Sequence, residues 1–334
     1  SRALRTGGVS QCALMMAYSI HPVTQEILED RPGWLEDYEL CADGWANRES
    51  LSIVLVKDGE PLGVRMMWHE ELHRSHYSLQ LRVAPELETE QAAAEIVGAL
   101  LAQRRLNLPV TASGVVGSQQ DGLLNALGVK TIQIVPPATI RTSVPTERAL
   151  TGRFVTLPAS AVAVENLVEA GRLMYLWTHA NWSPVREEES ALIGEALGVR
   201  EADLEASSVV LGDAGEVRAL SLVWTDDSKA ELIAETIKPD EPYGELMVES
   251  CVRRSLDQLR ARSFETADFD GHATDTHFFP LWIRLEPQGK WFRIVELLET
   301  AYLFRSPANA RRLLESYERA KSGETERHDL DSED

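Results

Sequence analysis

LQLRVAPELETEQAAAEIVGALL (79–101) and AETIKPDEPYGELMVESCVRRSL (234–256) read alike: an extended run, a proline, a polar loop, then a helix. In the first, HYSLQLRVA (76–84) alternates apolar and polar residues until Pro85 ends it. TEQAAAEIVGALLAQRR (89–105) follows, dense in Ala and Leu at helical spacing, with Thr89 placed to cap its N-terminus. In the second, AELIAETIK (230–238) stops at Pro239 and PDEPYGELMVESCVRRSLDQLR (239–260) supplies loop and helix. Outward from these anchors the order of signals also matches. LSIVLV (51–56), the turn KDGE and PLGVRMMW (61–68) predict a hairpin before the first; SSVVL (207–211), GDAGE and VRALSLVW (217–224) predict one before the second. Trp68 and Trp224 close the middle strand in each. Downstream, PVTASGVV (109–116) and FETADFD (264–270) read as strands. QQDGLLNALG (119–128), ended by Gly128, reads as a helix before the strand VKTIQIVP (129–136), and the apolar FPLWIRL (279–285) precedes GKWFRIVELL (289–298).

The matching order and length, rather than residue identity, predict a doubled α/β unit. Pro136, Pro137, Pro145 and Pro158 mark a boundary zone, which places one domain at 16–150 and a second at 151–320. One large α/β domain that happens to hold two such stretches is the alternative. The tail KSGETERHDLDSED is charged and almost free of large apolar residues, so 321–334 is expected to be disordered. SRALRTGGVSQCALM reads either as leader sequence or as residues added ahead of the natural chain, with Met16 a candidate start.

A chain of 334 residues, 44% hydrophobic, suffices for two cores of about 150 residues each. The formal charge of −20 opposes a sequence-independent grip on nucleic acid and binding to anionic membranes. No apolar run approaches the roughly 20 residues of a membrane-spanning helix, and no secretory cleavage pattern follows CALMMAYSI. Cys12, Cys41 and Cys251 are odd in number and lack paired spacing, so neither a disulfide framework nor a cysteine zinc site is signalled. These features predict a cytoplasmic protein.

The two anchor segments resemble the central element of the GNAT (GCN5-related N-acetyltransferase) family. There a strand ending in Val-x-Pro runs into a loop of the form Arg/Gln-x-x-Gly-x-Gly/Ala and a helix. The resemblance covers about 50–136 and 205–298. It implies two tandem GNAT-like α/β domains, each a mixed, mainly antiparallel sheet flanked by helices. Tandem members of the mycothiol-synthase type, and of the type acting in clavulanic acid biosynthesis, suit the chain best. The implied co-substrate is acetyl-CoA or another acyl-CoA, its pyrophosphate met by backbone amides at a helix N-terminus and its pantetheine by a strand edge. Carried onto this sequence, the contacts fall on Leu81, Arg82 and Val83, on Glu88, Thr89, Glu90, Gln91, Ala92 and Ala93, and on Ser118 and Asn125 of the first copy. In the second they fall on Ile237, Gly244, Glu245 and Leu246. Both loops depart from the pattern. PELETEQAA has neither glycine nor arginine, while the second keeps Gly244 but has Tyr243 for the arginine and Leu246 for the second glycine.

Family members place a glutamate base two residues before the strand's last matched position. Glu235 holds that place in the second copy, Leu81 in the first, and the usual late-helix Tyr position of the first copy falls on Leu124. The resemblance therefore implies that the first copy binds acyl-CoA or only maintains the fold, and that the second transfers the acyl group. A glutamate on an alternating strand can equally face solvent. His272 and His277, in FDGHATDTHFFP (269–280) beside Asp270 and Asp275, are candidates for acid–base work, for hydrogen-bonded structure, or for a metal site that no further spacing supports. YLWTHANWSPVREEE (175–189) offers Trp177, His179, Asn181 and Trp182 either as acceptor-groove walls or as core, with Glu187 to Glu189 a solvated face. The expected activity is N- or O-acylation of a small-molecule metabolite, antibiotic biosynthesis being one setting. A non-enzymatic acyl-CoA-binding protein and a cofactor-free partner-binding protein are the rivals. A homodimer is left open.

Overall fold

A computed structural model describes residues 19–23, 52–69, 72–85, 108–143 and 154–297. The helix expected over 89–105, with Glu88 to Ala93, the residues Cys12 and Cys41, and the tail 321–334 lie outside these residues.

The described chain forms two mixed, mostly antiparallel sheets flanked by helices. The first is built from β1 (Ser19–Pro22), β2 (Ile53–Lys57), β3 (Glu60–Trp68), β4 (Tyr77–Val83), β5 (Val110–Val115) and β6 (Val129–Val135), with α1 (Gln119–Ala126) between the last two. The second uses β8 (Thr156–Pro158), α2 (Val164–His179), α3 (Ile193–Ala196), β9 (Ser208–Leu211), β10 (Val217–Thr225), β11 (Ala230–Thr236), α4 (Gly244–Ala261), β12 (Thr266–Asp270) and α5 (Phe278–Arg284). In each, a hairpin leads into a strand that pairs in parallel with the next: β4 with β5, β11 with β12.

The halves exchange their last strands. β7 (Thr139–Arg141) leaves the first half to pair with β12 at the edge of the second sheet, while β13 (Phe292–Leu297) returns to lie between β5 and β6 in the first. A sequence boundary near residue 150 therefore divides the chain but not the sheets. Polar locks fix both crossings. Thr139 Oγ1 donates to Asp268 at 2.7 Å and Trp282 Nε1 to the Pro137 carbonyl at 2.7 Å. Arg293 on β13 pairs with Asp121 and donates to the Asn125 side chain of α1 at 2.6 Å.

The sheets differ in what covers them. On β10, Ala219 and Val223 face a core shared with Met247, Val248, Cys251 and Val252 of α4. Leu220 and Leu222 face the opposite core, with Leu167, Ala170 and Met174 of α2. Burial on both faces is why VRALSLVW reads as a nearly continuous apolar run. In the first sheet Tyr77, Leu79, Leu81 and Val83 enter one core with Leu123 and Leu124 of α1. The alternate residues Ser78, Gln80 and Arg82 are only partly buried. That strict alternation gives β4 a polar second face, set beside the buried apolar residues Val64 and Met66 of β3, which pair with Arg82 and Gln80.

Two local readings change. FPLWIRL, expected only as an apolar segment, is α5, with Phe278, Leu281 and Trp282 buried. Glu187 and Glu188 are exposed, but Glu189, expected on a solvated face with them, is buried at 5% exposure in the short helical turn that packs against α2. Cys251 is buried and desolvation pushes its thiol pKa far up, which excludes it as a nucleophile at neutral pH.

Candidate functional site

β4 and β5 pair only from Tyr77↔Val110 to Leu79↔Ala112; beyond that β4 runs on to Val83 and β5 to Val115 without pairing to each other. On the polar face of this split lies a cavity of about 560 Å³. Its floor is a cross-strand row, Trp68, Ser78 and Thr111, with Gln80, Ser113 and, from the exchanged strand β13, Ile294. The β3–β4 loop adds His73 and His76, and the second half closes the cavity with Tyr175 of α2, Trp182, Ser183 and Ala196. Among the described residues that line it, the polar groups are hydroxyl, amide, indole and imidazole, with no carboxylate, ammonium or guanidinium.

His73 joins the halves. Its Nε2 lies 2.8 Å from the Tyr175 hydroxyl and its Nδ1 2.9 Å from Ser183 Oγ. Burial lowers its pKa, so the ring is held neutral at physiological pH. Behind it, His179 stacks on Tyr175 at 3.7 Å between ring centroids and meets His272 edge-on at 5.0 Å. Desolvation, with the nearby His272 adding to it, takes His179 down to about 3. Trp182 Nε1 donates to the Thr178 carbonyl, which fixes the indole between His179 and His272.

The second split is closed. β11 pairs with β12 from Glu231↔Asp268 to Ile233↔Asp270, so Glu235 stands two residues past the last pair, as Leu81 does past Leu79. Its side chain is buried at 2% exposure. Oε1 accepts from Thr236 N–H at 2.7 Å and faces His277 Nδ1 at 2.7 Å. Oε2 accepts from the His277 and Phe278 amides at 3.0 and 2.9 Å. The carboxylate thus takes up the amides where α5 begins, a charge-assisted cap at the positive end of a helix. His277 turns its far edge toward Gly244, where an added Cβ would come within 2.5 Å of Nε2. His272 is apart from this pair: its Nδ1 lies 3.0 Å from Asp275 Oδ2, and burial raises the Asp275 pKa.

The remaining sequence candidates are placed as follows. Leu81 and Val83 are core, Arg82 is half-buried, and Ile237 packs against the core shared with α2. Ser118 caps α1 by accepting from Asp121 N–H, and Asn125 is engaged by Arg293. Tyr243, with left-handed backbone (φ 63°), precedes Gly244 at the start of α4, and Glu245 pairs with Arg284. Asp240, Glu241 and Glu245 crowd this helix start, which suits a diphosphate poorly despite Arg218 and Lys238 on Glu241. Trp177 donates to the Thr236 carbonyl at 2.8 Å. Among the described residues, no group of three or more His, Cys, Asp or Glu is arranged to hold a metal ion, and no helix is long and apolar enough to cross a membrane. Sequence reasoning did not single out His73, Tyr175 or Ser183. The available signals were HRSH (73–76) and the polar alternates of β4 and β5.

No protein-family model and no curated protein sequence matches the chain. Solved structures do match it in shape. A GCN5-related N-acetyltransferase from Sphaerobacter thermophilus superposes with TM-score 0.52 at 12% identity, over 73% of this chain and 79% of that one. The fold is that of the GCN5-related N-acetyltransferases. The GCN5-related glucosamine N-acetyltransferase region of a fungal multi-domain β-N-acetylglucosaminidase gives TM-score 0.55 at 11% identity, over 84% of this chain and 38% of that one. A tandem GNAT protein from the clavulanic acid biosynthesis pathway aligns at TM-score 0.44 and 14% identity, over 73% of this chain and 81% of that one. Identities this low carry the fold and no side-chain role.

Proposed function

We propose that the protein is an acyl-CoA-dependent acyltransferase, with acetyl-CoA the foremost co-substrate and a small metabolite as N- or O-acceptor. The observation that carries this reading is the cavity at the β4–β5 split, on a fold whose relatives are N-acetyltransferases. The split leaves the edge of β4 beyond Leu79 unpaired with β5, the kind of strand edge along which an extended pantetheine arm can hydrogen-bond. In this reading the acceptor occupies the space between the halves, and the second half contributes α2 to the first half's site. Antibiotic or other specialised metabolism is a setting we keep within the proposal.

Two tests bear on it. Native mass spectrometry with millimolar acetyl-CoA is expected to reveal one bound thioester; a chain that stays unliganded would sink the reading. Release of the CoA thiol, followed with a chromogenic disulfide over a panel of acceptors, then separates an enzyme from a protein that only binds.

A non-enzymatic acyl-CoA-binding protein is the second reading. It is favoured by the complete engagement of Glu235 and by the acidic start of α4. A third assignment keeps the chemistry in the second half, with Glu235 orienting His277 for proton transfer and His272 nearby. Glu235→Gln decides that one. Thiol release within about threefold of the parent assigns the pair to structure, whereas a loss of tenfold or more, about 1.4 kcal/mol, at an unchanged melting temperature makes it part of the reaction.

A further inference from the structure

We propose that His73 is the proton relay of an O-acyltransfer, moving the proton of a neutral hydroxyl-bearing acceptor through the Tyr175 and Ser183 hydroxyls that flank its ring. The inference rests on the acyltransferase reading and narrows its acceptor from N or O to O.

The imidazole is bracketed by two hydroxyls, Tyr175 at Nε2 and Ser183 at Nδ1, and all three side chains line the cavity. A neutral imidazole accepts at one nitrogen and donates at the other. With the proton on Nδ1, that N–H donates to Ser183 Oγ, and Nε2 accepts from the Tyr175 O–H. An acceptor hydroxyl bonded to Tyr175 Oη can then lose its proton to Tyr175 as the tyrosine proton passes to Nε2. The acceptor oxygen attacks the thioester carbonyl, so the acyl–oxygen bond forms and the acyl–sulfur bond breaks. The imidazolium returns a proton from Nδ1 through Ser183 to the departing thiolate. Alcohol and acyl-CoA become ester and free CoA thiol with no net proton gained or lost, and the ring, left with its proton on Nε2, regains the Nδ1–H form by proton exchange with water before the next turnover.

The walls select for the same chemistry. Ser78, Gln80, Thr111 and Ser113 present hydrogen-bonding groups without formal charge, and Trp68 and Trp182 supply flat apolar surfaces. That combination fits a neutral polyhydroxylated ligand. Among the described lining residues an alkylammonium would find no carboxylate to pair with, and hydrogen bonds to neutral groups do not remove that cost. The relay also crosses the boundary between the halves, because His73 and Tyr175 lie 102 residues apart in sequence.

Water is the simplest hydroxyl acceptor, so the test need not await the natural one. The full chain is expected to hydrolyse acetyl-CoA slowly, and His73→Ala to lower kcat at least tenfold with KM for acetyl-CoA unchanged. Added imidazole should restore part of the rate to His73→Ala, which a purely structural histidine would not permit. Ser183→Ala, a smaller change, should also lower kcat while retaining the parent's melting temperature. In parallel, cyclohexanol and cyclohexylamine, then 1,4-cyclohexanediol and trans-4-aminocyclohexanol, are offered as matched acceptors. Esters are expected wherever acyl transfer occurs. Acetyl-CoA that binds but is consumed equally fast by parent, His73→Ala and Ser183→Ala overturns the relay. Acylation of the amine at or above the rate of its matched alcohol overturns the acceptor class. Absence of bound acetyl-CoA by mass spectrometry is a different failure, that of the acyltransferase reading itself.

Discussion

The two strand splits occupy the same place in the doubled unit and are finished in opposite ways. Two residues beyond its last parallel pair, the first carries Leu81, which turns into an apolar core and leaves the other face of β4 to line a cavity. The second carries Glu235, whose carboxylate binds the opening amides of α5 and the ring of His277. The lesson is that the chemically richer residue makes the more closed structure. A buried carboxylate needs several donors, and the donors that satisfy it fill the space a ligand would use. A leucine at the equivalent position makes no such demand, and room for hydrogen-bonding groups is left on the opposite face.

This contrast can be broken in three places. The largest effect is expected from Glu235→Ala, which strands the α5 amides and His277 without their acceptor; a loss of about 3–5 kcal/mol in urea unfolding is expected, as for other broken buried pairs. A change under about 1 kcal/mol would mean that the carboxylate does not hold the second split shut. Next, Ser113→Trp places an indole in the cavity from an exposed strand position. Thiol release from acetyl-CoA should fall about 100-fold, the order of loss seen when reacting groups are misplaced, while the melting temperature moves little. Undiminished turnover would remove the chemistry from the first split. The smallest effect concerns His179. The folded chain keeps this ring neutral down to about pH 3, whereas the unfolded chain protonates it below about pH 6.5. Stability contributed by the neutral ring is therefore present above pH 6.5 and lost as pH falls from there toward 3. The slope is at most about 1.4 kcal/mol per pH unit. Urea midpoints measured at pH 6.5 and 4.5 should converge between the parent and His179→Gln; parallel curves would show that the ring is solvated.

Much of the fold was legible because its signals are local. The hairpins at 51–68 and 207–224, the strands before Pro85 and Pro239 and the amphipathic α4 each announce themselves within a few residues. The exchange of β7 and β13 was not legible. TIR (139–141) and FRIVEL (292–297) have ordinary strand composition, and nothing in either segment says which sheet it joins. The site followed the same rule. The correspondence of Leu81 with Glu235 is a counting argument and matches the registers of both sheets. The burial of Glu235 depends on where α5 starts, which no residue near 235 encodes. His73 looked like any loop histidine, since its partners Tyr175 and Ser183 come from the far half of the chain.

The strand exchange also governs how this protein can be made. β13 lies inside the first sheet, between β5 and β6, yet is among the last described segments to be synthesised. During translation the first sheet carries a missing slat, with β5 and β6 each exposing an unpaired edge until Leu297 has cleared the ribosome. Neither half can be excised as an intact module. A gene cut near codon 150 would yield two fragments, each lacking a strand the other holds.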